Sequence, residues 1–334
     1  MDRPGPAQRL HAFTSRTFAA IVALAVVAGL VVRGPWEAVL PYRGPLLAFN
    51  VFAVSVGIRW RDLSGLRRLG RFAAGLYGVM FLVTPALAVA VGRLWLRDDP
   101  ALAQGLLLLA SMPAGAMAAV WTGLLGGNTG LSLTAVGLTT LTCGVVTPLV
   151  LQLFGGAVLA VRVDSLARNL AVNVGLPALA GLLAGNRWPQ AFRRARPWMG
   201  LALQLSIVAI VGATAFEEEP MLSSPAAQPV LARLVAVCAG YLLALMGLGS
   251  LASRAISADP ADRISLALSV ALRNNNAAVL LAAAYLSARA ALPSIVMLLI
   301  QQPLVWLAAK AAAAVKPAPA RADPGRWRQQ GRSG

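Results

Sequence analysis

Ten long apolar runs, separated by short polar connections, limit what this 334-residue chain can fold into. They fall at residues 17–32, 46–58, 72–94, 101–124, 131–154, 170–184, 198–216, 230–251, 264–286 and 292–315. A helix that crosses a bilayer takes about 20 residues, so ten of them need roughly 200. That is close to the 58% of the chain that is hydrophobic. Only 12% of the residues are charged, about half the share found in soluble domains, so the chain has too little polar surface to cover itself in water. The expected fold is an all-α polytopic membrane protein of ten transmembrane helices with no large soluble domain. Arg3, Arg9 and Arg16 precede the first run as they would precede the apolar region of a signal peptide. Nine further runs follow, and no clear small-x-small cleavage site stands before Glu37, so the run reads as a first span.

Charge placement gives the orientation. The chain carries 29 Lys+Arg against 12 Asp+Glu, a formal +17. On a soluble protein this would suggest nucleic acid, but no basic helix face or aromatic-interleaved patch is present. In alternate connections the basic residues divide unequally. One side holds the three arginines before the first run, five between 59 and 71, four between 187 and 196, Arg254, Arg263 and six from Lys310 onward. The other side holds Arg33, Arg43, Arg93, Arg97, Arg162, Arg168 and Arg289, while Arg233 and Arg273 lie inside runs. A consistent positive bias predicts cytoplasmic termini. Glu217, Glu218 and Glu219 then face outward, where they read as a solvated loop.

The expected layout is a cytoplasmic tail 1–16, a ten-span domain 17–315 and a basic, Pro-containing cytoplasmic tail 316–334 that could meet anionic lipid. Ten spans split into fives near Arg162 and Arg168, giving halves of about 17–160 and 161–315. An odd number per half makes related halves enter the membrane from opposite sides, the plan of two inverted five-helix repeats. The interruptions fit that plan. Pro113-Ala114-Gly115 breaks the fourth run and Arg273-Asn274-Asn275-Asn276 the ninth, the fourth of each half. Unwound backbone at membrane depth needs a cavity or protein around it, so broken helices 4 and 9 mark the expected substrate site.

Arg273 is the most informative side chain. It sits about ten residues into its run, near the midplane, where a cation costs at least a few kcal/mol. All 12 acids lie outside the apolar runs, so none pairs with it there. A cation in that place either binds backbone carbonyls of the broken helices or lines a cavity that attracts an anion. Asn274, Asn275 and Asn276 follow at once. On a continuous helix three successive residues spread over about 300° of azimuth, so only a break turns them to one site. Asn50, Gln104, Asn173, Gln204, Gln301 and Gln302 read as packing glue between helices. Gly126-Gly127-Asn128 reads as a tight turn, since no phosphate-loop lysine follows. Cys143 and Cys238 lie in apolar runs and read as packing residues, with no metal ligand set around them.

Met112-Pro113-Ala114-Gly115, followed by Val120-Trp121-Thr122, Gly126-Gly127-Asn128 and Leu131-Ser132, resembles the fourth-to-fifth span region of the bile acid:sodium symporter superfamily. Arg273-Asn274 before an Ala-rich helix is similar to that superfamily's Gln-Asn segment and its Arg-Asn variants. The resemblance implies a panel domain and a core domain, with the fourth and ninth spans crossing at their breaks and substrate bound between the domains. Asn274 matches a position near substrate in the superfamily; Arg273, Asn275, Asn276 and Thr122 complete the candidate substrate-binding set, and Pro113 and Gly115 are the candidate helix-breaking residues. Departures from the pattern bear on ion coupling. Where sodium-coupled members carry a Ser-Asn pair this chain has Ala118-Ala119, and a fifth-span Ser and Thr fall on Ser132 and Val136. The ninth-span Glu and Gln fall on Ser269 and Arg273, and a third-span Gln on Met80. Only Ser132 and Ser269 keep a side-chain oxygen, so the sodium sites are expected to be weak or lost, with Arg273 standing in for the cation.

The leading expectation is therefore a secondary transporter of a small organic anion, working by alternating access in a plasma membrane, without an enzyme activity or a resident cofactor. Arsenite efflux, a membrane-embedded enzyme and a non-transporting scaffold stay as alternatives. A polar cleft holding Arg273 points to transport, and a packed core with Arg273 against carbonyls points to a scaffold. The sequence is silent on oligomeric state.

Overall fold

The computed structural model describes residues 18–32, 34–58, 70–155, 171–224 and 227–315. The expected tails and the connection around Arg162 and Arg168 lie outside these residues. Among the described residues the regular structure is helical: α1 Phe18–Val31, α2 Arg43–Ser55, α3 Gly70–Gly78, α4 Thr84–Trp95, α5 Pro100–Ala110, α6 Ala116–Leu124 and α7 Thr129–Gly155. The order continues with α8 Leu176–Arg187, α9 Pro189–Glu217, α10 Ala227–Ile256, α11 Pro260–Ala271, α12 Asn275–Tyr285 and α13 Ala288–Val315. Five stretches are long and apolar enough to cross a bilayer alone, at Phe72–Trp95, Thr129–Gly155, Pro189–Glu217, Gln228–Ile256 and Ala288–Ala311. Apolar side chains also cover their outer faces. Val145, Leu149 and Leu153 form an exposed stripe at helical spacing on α7, as do Leu176, Leu179 and Leu183 on α8. Such surfaces suit lipid rather than water. The chain is a multi-pass helical membrane protein.

Two compact units divide the chain, Met1–Gln301 and Gln302–Gly334. In the second, the Lys310 ammonium stands 5.0 Å over the Trp306 ring. The first unit carries everything that follows. Within it α1 packs on α9 and α2 on α8, with α2 and α8 also touching α9. The other helices gather separately: α4 on α5, α6 on α7, α11 on α6, α7 and α10, and α10 on α4. The two groups meet where α12 touches α2 and α9, and where α7 meets α8 and the π-helical turn Ala171–Gly175 before it.

Local chemistry explains the helix ends. Asp99 caps α5 by accepting from the Leu102 amide, Asp259 caps α11 from the Ala261 amide, and Asn274 caps α12 from the Ala277 amide. Pro100 and Pro260 follow their caps at the first helical position, where a missing N–H costs nothing. The turn at 126–128 is tight, as expected, with Gly126 at φ +73°, a conformation that glycine adopts without strain.

Two readings change. The connection expected at 187–196 is helix: Trp188 alone separates α8 from α9, and Arg193, Arg194 and Arg196 ride on the first turns of α9. A basic stretch without apolar periodicity looks like a loop in sequence, although arginine favours helix. Nor are the three glutamates a purely solvated loop. Glu217 pairs with Arg43 and Glu218 with Arg289, whose guanidinium also binds Asp99.

Candidate functional site

The two interrupted helices touch at their breaks. Residues 111–115 separate α5 from α6, and residues 272–274 separate α11 from α12. Extended backbone there pairs as an antiparallel bridge between Ala114 and Arg273. The Gly115 amide donates to the Leu272 carbonyl at 2.7 Å and the Asn274 amide to the Pro113 carbonyl at 2.9 Å. Thr139 Oγ1 on α7 accepts the Ala114 amide at 3.1 Å, and Thr147 Oγ1 donates to the Ser111 carbonyl at 2.8 Å. Polar backbone freed by the breaks is thus taken up locally, as an apolar surrounding demands.

Arg273, one of the two bridged residues, is 3% exposed. Nη1 donates to the Met112 carbonyl at 3.1 Å, and Nη2 to the Met80 carbonyl at 3.1 Å and Thr84 Oγ1 at 2.5 Å. Met80 offers its carbonyl for a definite reason. It lies in the π-helical turn Val79–Val83, where the Thr84 amide bonds to Val79. The next amide in that register would belong to Pro85, which has no N–H. Side chains fill the gap: Thr84 Oγ1 donates to Met80 at 2.7 Å beside the guanidinium. Tyr241 on α10 donates to the Thr84 carbonyl at 2.9 Å, fixing the same segment from behind. Thr84 and Tyr241 were not singled out in the sequence. The Thr84-Pro85 pair inside an apolar run was the available signal for the first, and nothing local marks the second.

Beside the crossing, at the seam between the two helix groups, lies a narrow, partly open cleft. Val51 and Val54 of α2, Val174 of the π-helical turn before α8 and Leu203 of α9 form one wall; Met112, Pro113, Ala277 and Leu281 form the facing one. Its polar lining is Asn50, Thr140, Cys143, Thr147, Asn274 and Asn276. None of the lining residues is charged. Asn50 is also glue, donating to the Leu46 carbonyl at 2.9 Å and to Ser206 Oγ at 2.6 Å. Thr140 Oγ1 and Asn276 Oδ1, by contrast, are buried atoms with no hydrogen-bond partner.

The asparagine run is therefore divided by the break. Asn274 and Asn276 reach the cleft, whereas Asn275 turns away and donates to Gln301 Oε1 at 3.0 Å. Arg273 and Thr122 are not among the lining residues. Thr122 is buried against Gly127, whose amide donates to the Thr122 carbonyl at 2.8 Å. Ser132 and Ser269 come together from α7 and α11, their hydroxyls 3.3 Å apart. Ala118, Ala119 and Val136 are buried and bring no side-chain oxygen. Pro113 lines the cleft and Gly115 carries the crossing contact.

A multi-pass helical membrane protein with two broken helices bridged at a buried arginine is the class these features define. Residues 44–219, just over half of the chain, match the family described as the Sodium Bile acid symporter family, and the chain belongs to that family. Two relatives from Bacillus subtilis (strain 168) extend the similarity over most of its length. One is "Uncharacterized sodium-dependent transporter YocS", 27% identical over 288 residues, which cover 86% of this chain and 88% of the relative. The other is "Uncharacterized protein YbaS", 25% identical over 268 residues, which cover 78% of this chain and 85% of the relative.

Proposed function

We propose that the protein is a secondary transporter of a small organic anion, held in the cleft beside the crossing and moved by alternating access. The observation that carries this reading is the cleft itself, walled by both helix groups and flanked by the N-terminus of a broken helix. Asn274 and Asn276 open the first turn of α12, where the helix dipole favours negative charge. Arg273, buried without a carboxylate among its bonded partners, adds a second positive contribution from behind the wall. The apolar side chains then receive the body of the substrate and the amides its anionic head. Ten spans in two inverted five-helix repeats, a plasma-membrane location and cytoplasmic termini complete the proposal, supported by the alternation of basic connections.

Sodium coupling is weak or absent in this reading. Two hydroxyls at Ser132 and Ser269 are a poor ligand set for a hard cation that prefers several oxygens. The guanidinium of Arg273, which binds the Met80 and Met112 carbonyls, acts as a tethered cation in their place. Arsenite efflux is less well supported, since Cys143 is the only thiol lining the cleft. One observation favours a second reading, a non-transporting scaffold: Arg273 is bonded to carbonyls rather than exposed in the cleft.

A thermal-stability screen of the purified protein against organic anions, in NaCl and in KCl, separates these readings. An anion that binds the folded state raises the melting temperature by mass action. The transporter reading expects such an anion, equally effective in both salts, and its uptake into proteoliposomes. Strong sodium stimulation of uptake would remove the tethered-cation idea, and a screen without any stabilising anion would favour the scaffold.

A further inference from the structure

One end of the seam between the helix groups is bridged by ionic contacts that the substrate cleft does not use. Three helix starts and two helix ends converge there: Arg43 opens α2, Asp99 caps α5, Arg289 lies in the first turn of α13, α9 ends at Glu217 and α12 at Tyr285. The Arg43 guanidinium is held from its own group by Glu217, through Nη2. Through Nη1 it reaches across the seam to the Ala283 carbonyl at 3.0 Å. Ala283 lies in the last turn of α12, whose final carbonyls have no partner within the helix and carry its negative pole. A second contact crosses the same seam. Arg289 binds Asp99, the cap of α5 in one group, through Nε at 2.7 Å and reaches Glu218, just past the end of α9 in the other, at 3.4 Å. Arg43 and Glu218 are the larger part shielded from solvent, so these pairs are screened less than surface ones.

Leu281, one of the cleft's lining residues, is half a turn of α12 before Ala283. Asn50, on the opposite wall, is two turns along α2 from Arg43. The bridged end therefore caps the cleft in line with the two helices that face each other across it.

We propose that Arg43 is a latch: by joining Glu217 of one helix group to the C-terminus of α12 in the other, it holds the cleft shut at this end. The proposal rests on the transporter reading for its purpose, since a cleft that alternates needs a contact that forms on one side and breaks for the other state. By the charge count above, this end faces away from the cytoplasm. Arg43 is better suited than lysine, because its planar fork serves the carboxylate and the carbonyl at once.

Spin labels at Ala38→Cys, on the exposed 3-10 turn Glu37–Tyr42 leading into α2, and at Arg97→Cys, exposed between α4 and α5, report the width of this end. The background carries Cys143→Ala and Cys238→Ala. Distances are measured by electron paramagnetic resonance in lipid nanodiscs, without substrate, for the parent, Arg43→Gln and Arg43→Lys. The expected result is a second population in Arg43→Gln at least one helical turn, about 5 Å, beyond the parent's main peak. Arg43→Lys, which fills one contact at a time, should show less of it. Distance distributions that coincide in all three proteins overturn the latch, and so does widening in Arg43→Lys as large as in Arg43→Gln. Uptake is not part of the readout. A protein that widens as expected but carries no anion counts against the transporter reading alone, and unchanged distances in a protein that transports count against the latch alone.

Discussion

A Cβ placed on Gly115 would lie 2.6 Å from the carbonyl oxygen of Arg273 and 3.0 Å from its carbonyl carbon. Both neighbours are backbone, held by the bridge that Gly115 itself helps to form. Gly115→Ala must therefore separate the two broken helices or strain both. Overpacking of this kind costs about 1–3 kcal/mol, so the variant should melt below the parent in the same detergent. An unchanged melting temperature would show that the crossing yields more easily than its hydrogen bonds indicate.

Arg273 is the second determinant of the same junction. Arg273→Gln removes the fork that serves the Met80 and Met112 carbonyls and the Thr84 hydroxyl. Leaving one buried acceptor unsatisfied costs about 1–3 kcal/mol, and Gln reaches at most part of this set. Arg273→Lys should fall between Gln and the parent, and Thr84→Val should cost less than Arg273→Gln because the carbonyls keep the guanidinium. Thermal melts of the four proteins give this order or refute it. The Gln variant also tests the tethered cation: removing the guanidinium should give its melting temperature a preference for NaCl over KCl that the parent lacks.

These residues differ in how readily the sequence discloses them. Pro113, Gly115 and Arg273 stand out because each violates the rule of the apolar run that contains it, by breaking a helix or by carrying charge at depth. Tyr241 violates nothing. It matters because α10 packs on α4 and brings its hydroxyl to Thr84, 157 residues away in sequence. The cleft follows the same logic. Asn274 and Asn276 are visible as polar residues at a break, whereas Thr140 and Cys143 look like ordinary members of a long helix until α2 and α9 are set opposite. Glu217 reads as solvated because its partner Arg43 is 174 residues distant, beyond any local pattern.

Asp99 and Glu218 share Arg289 and should respond oppositely to neutralisation. Asp99 is a helix cap and accepts two guanidinium bonds. Asp99→Asn keeps the cap but loses the charge opposite Arg289, and should lower the melting temperature. Glu218 is different: burial pushes its carboxyl above the ordinary carboxylate range, and Arg289 only partly offsets this. A carboxyl whose pKa is raised on folding binds its proton more tightly in the native state. Its ionised form therefore costs stability above the raised value, and that cost disappears as pH falls through it towards the unfolded value. Glu218→Gln should be neutral or stabilising at pH 8 and lose that advantage near pH 4. Melts of both variants at these pH values decide the matter, and a large loss in Glu218→Gln at pH 8 would show that the Arg289 contact outweighs desolvation.

Cys143 offers a chemical test of the cleft. Its side chain lines the cavity with Thr140 and Asn276, while Cys238 is buried elsewhere and donates to the Pro293 carbonyl at 3.7 Å. A small maleimide or methanethiosulfonate reagent should reach Cys143 only when the cleft opens, and should leave Cys238 unmodified in the folded protein. Because the thiol is 6% exposed, the rate should follow opening of the seam rather than intrinsic thiol reactivity. Arg43→Gln should then speed modification of Cys143 severalfold, and a stabilising anion should slow it. Mass spectrometry of the labelled peptides reads both sites at once. Equal labelling of Cys143 and Cys238 would mean global unfolding, and modification of Cys143 that neither the anion nor Arg43→Gln alters would mean that this cavity is not the substrate path.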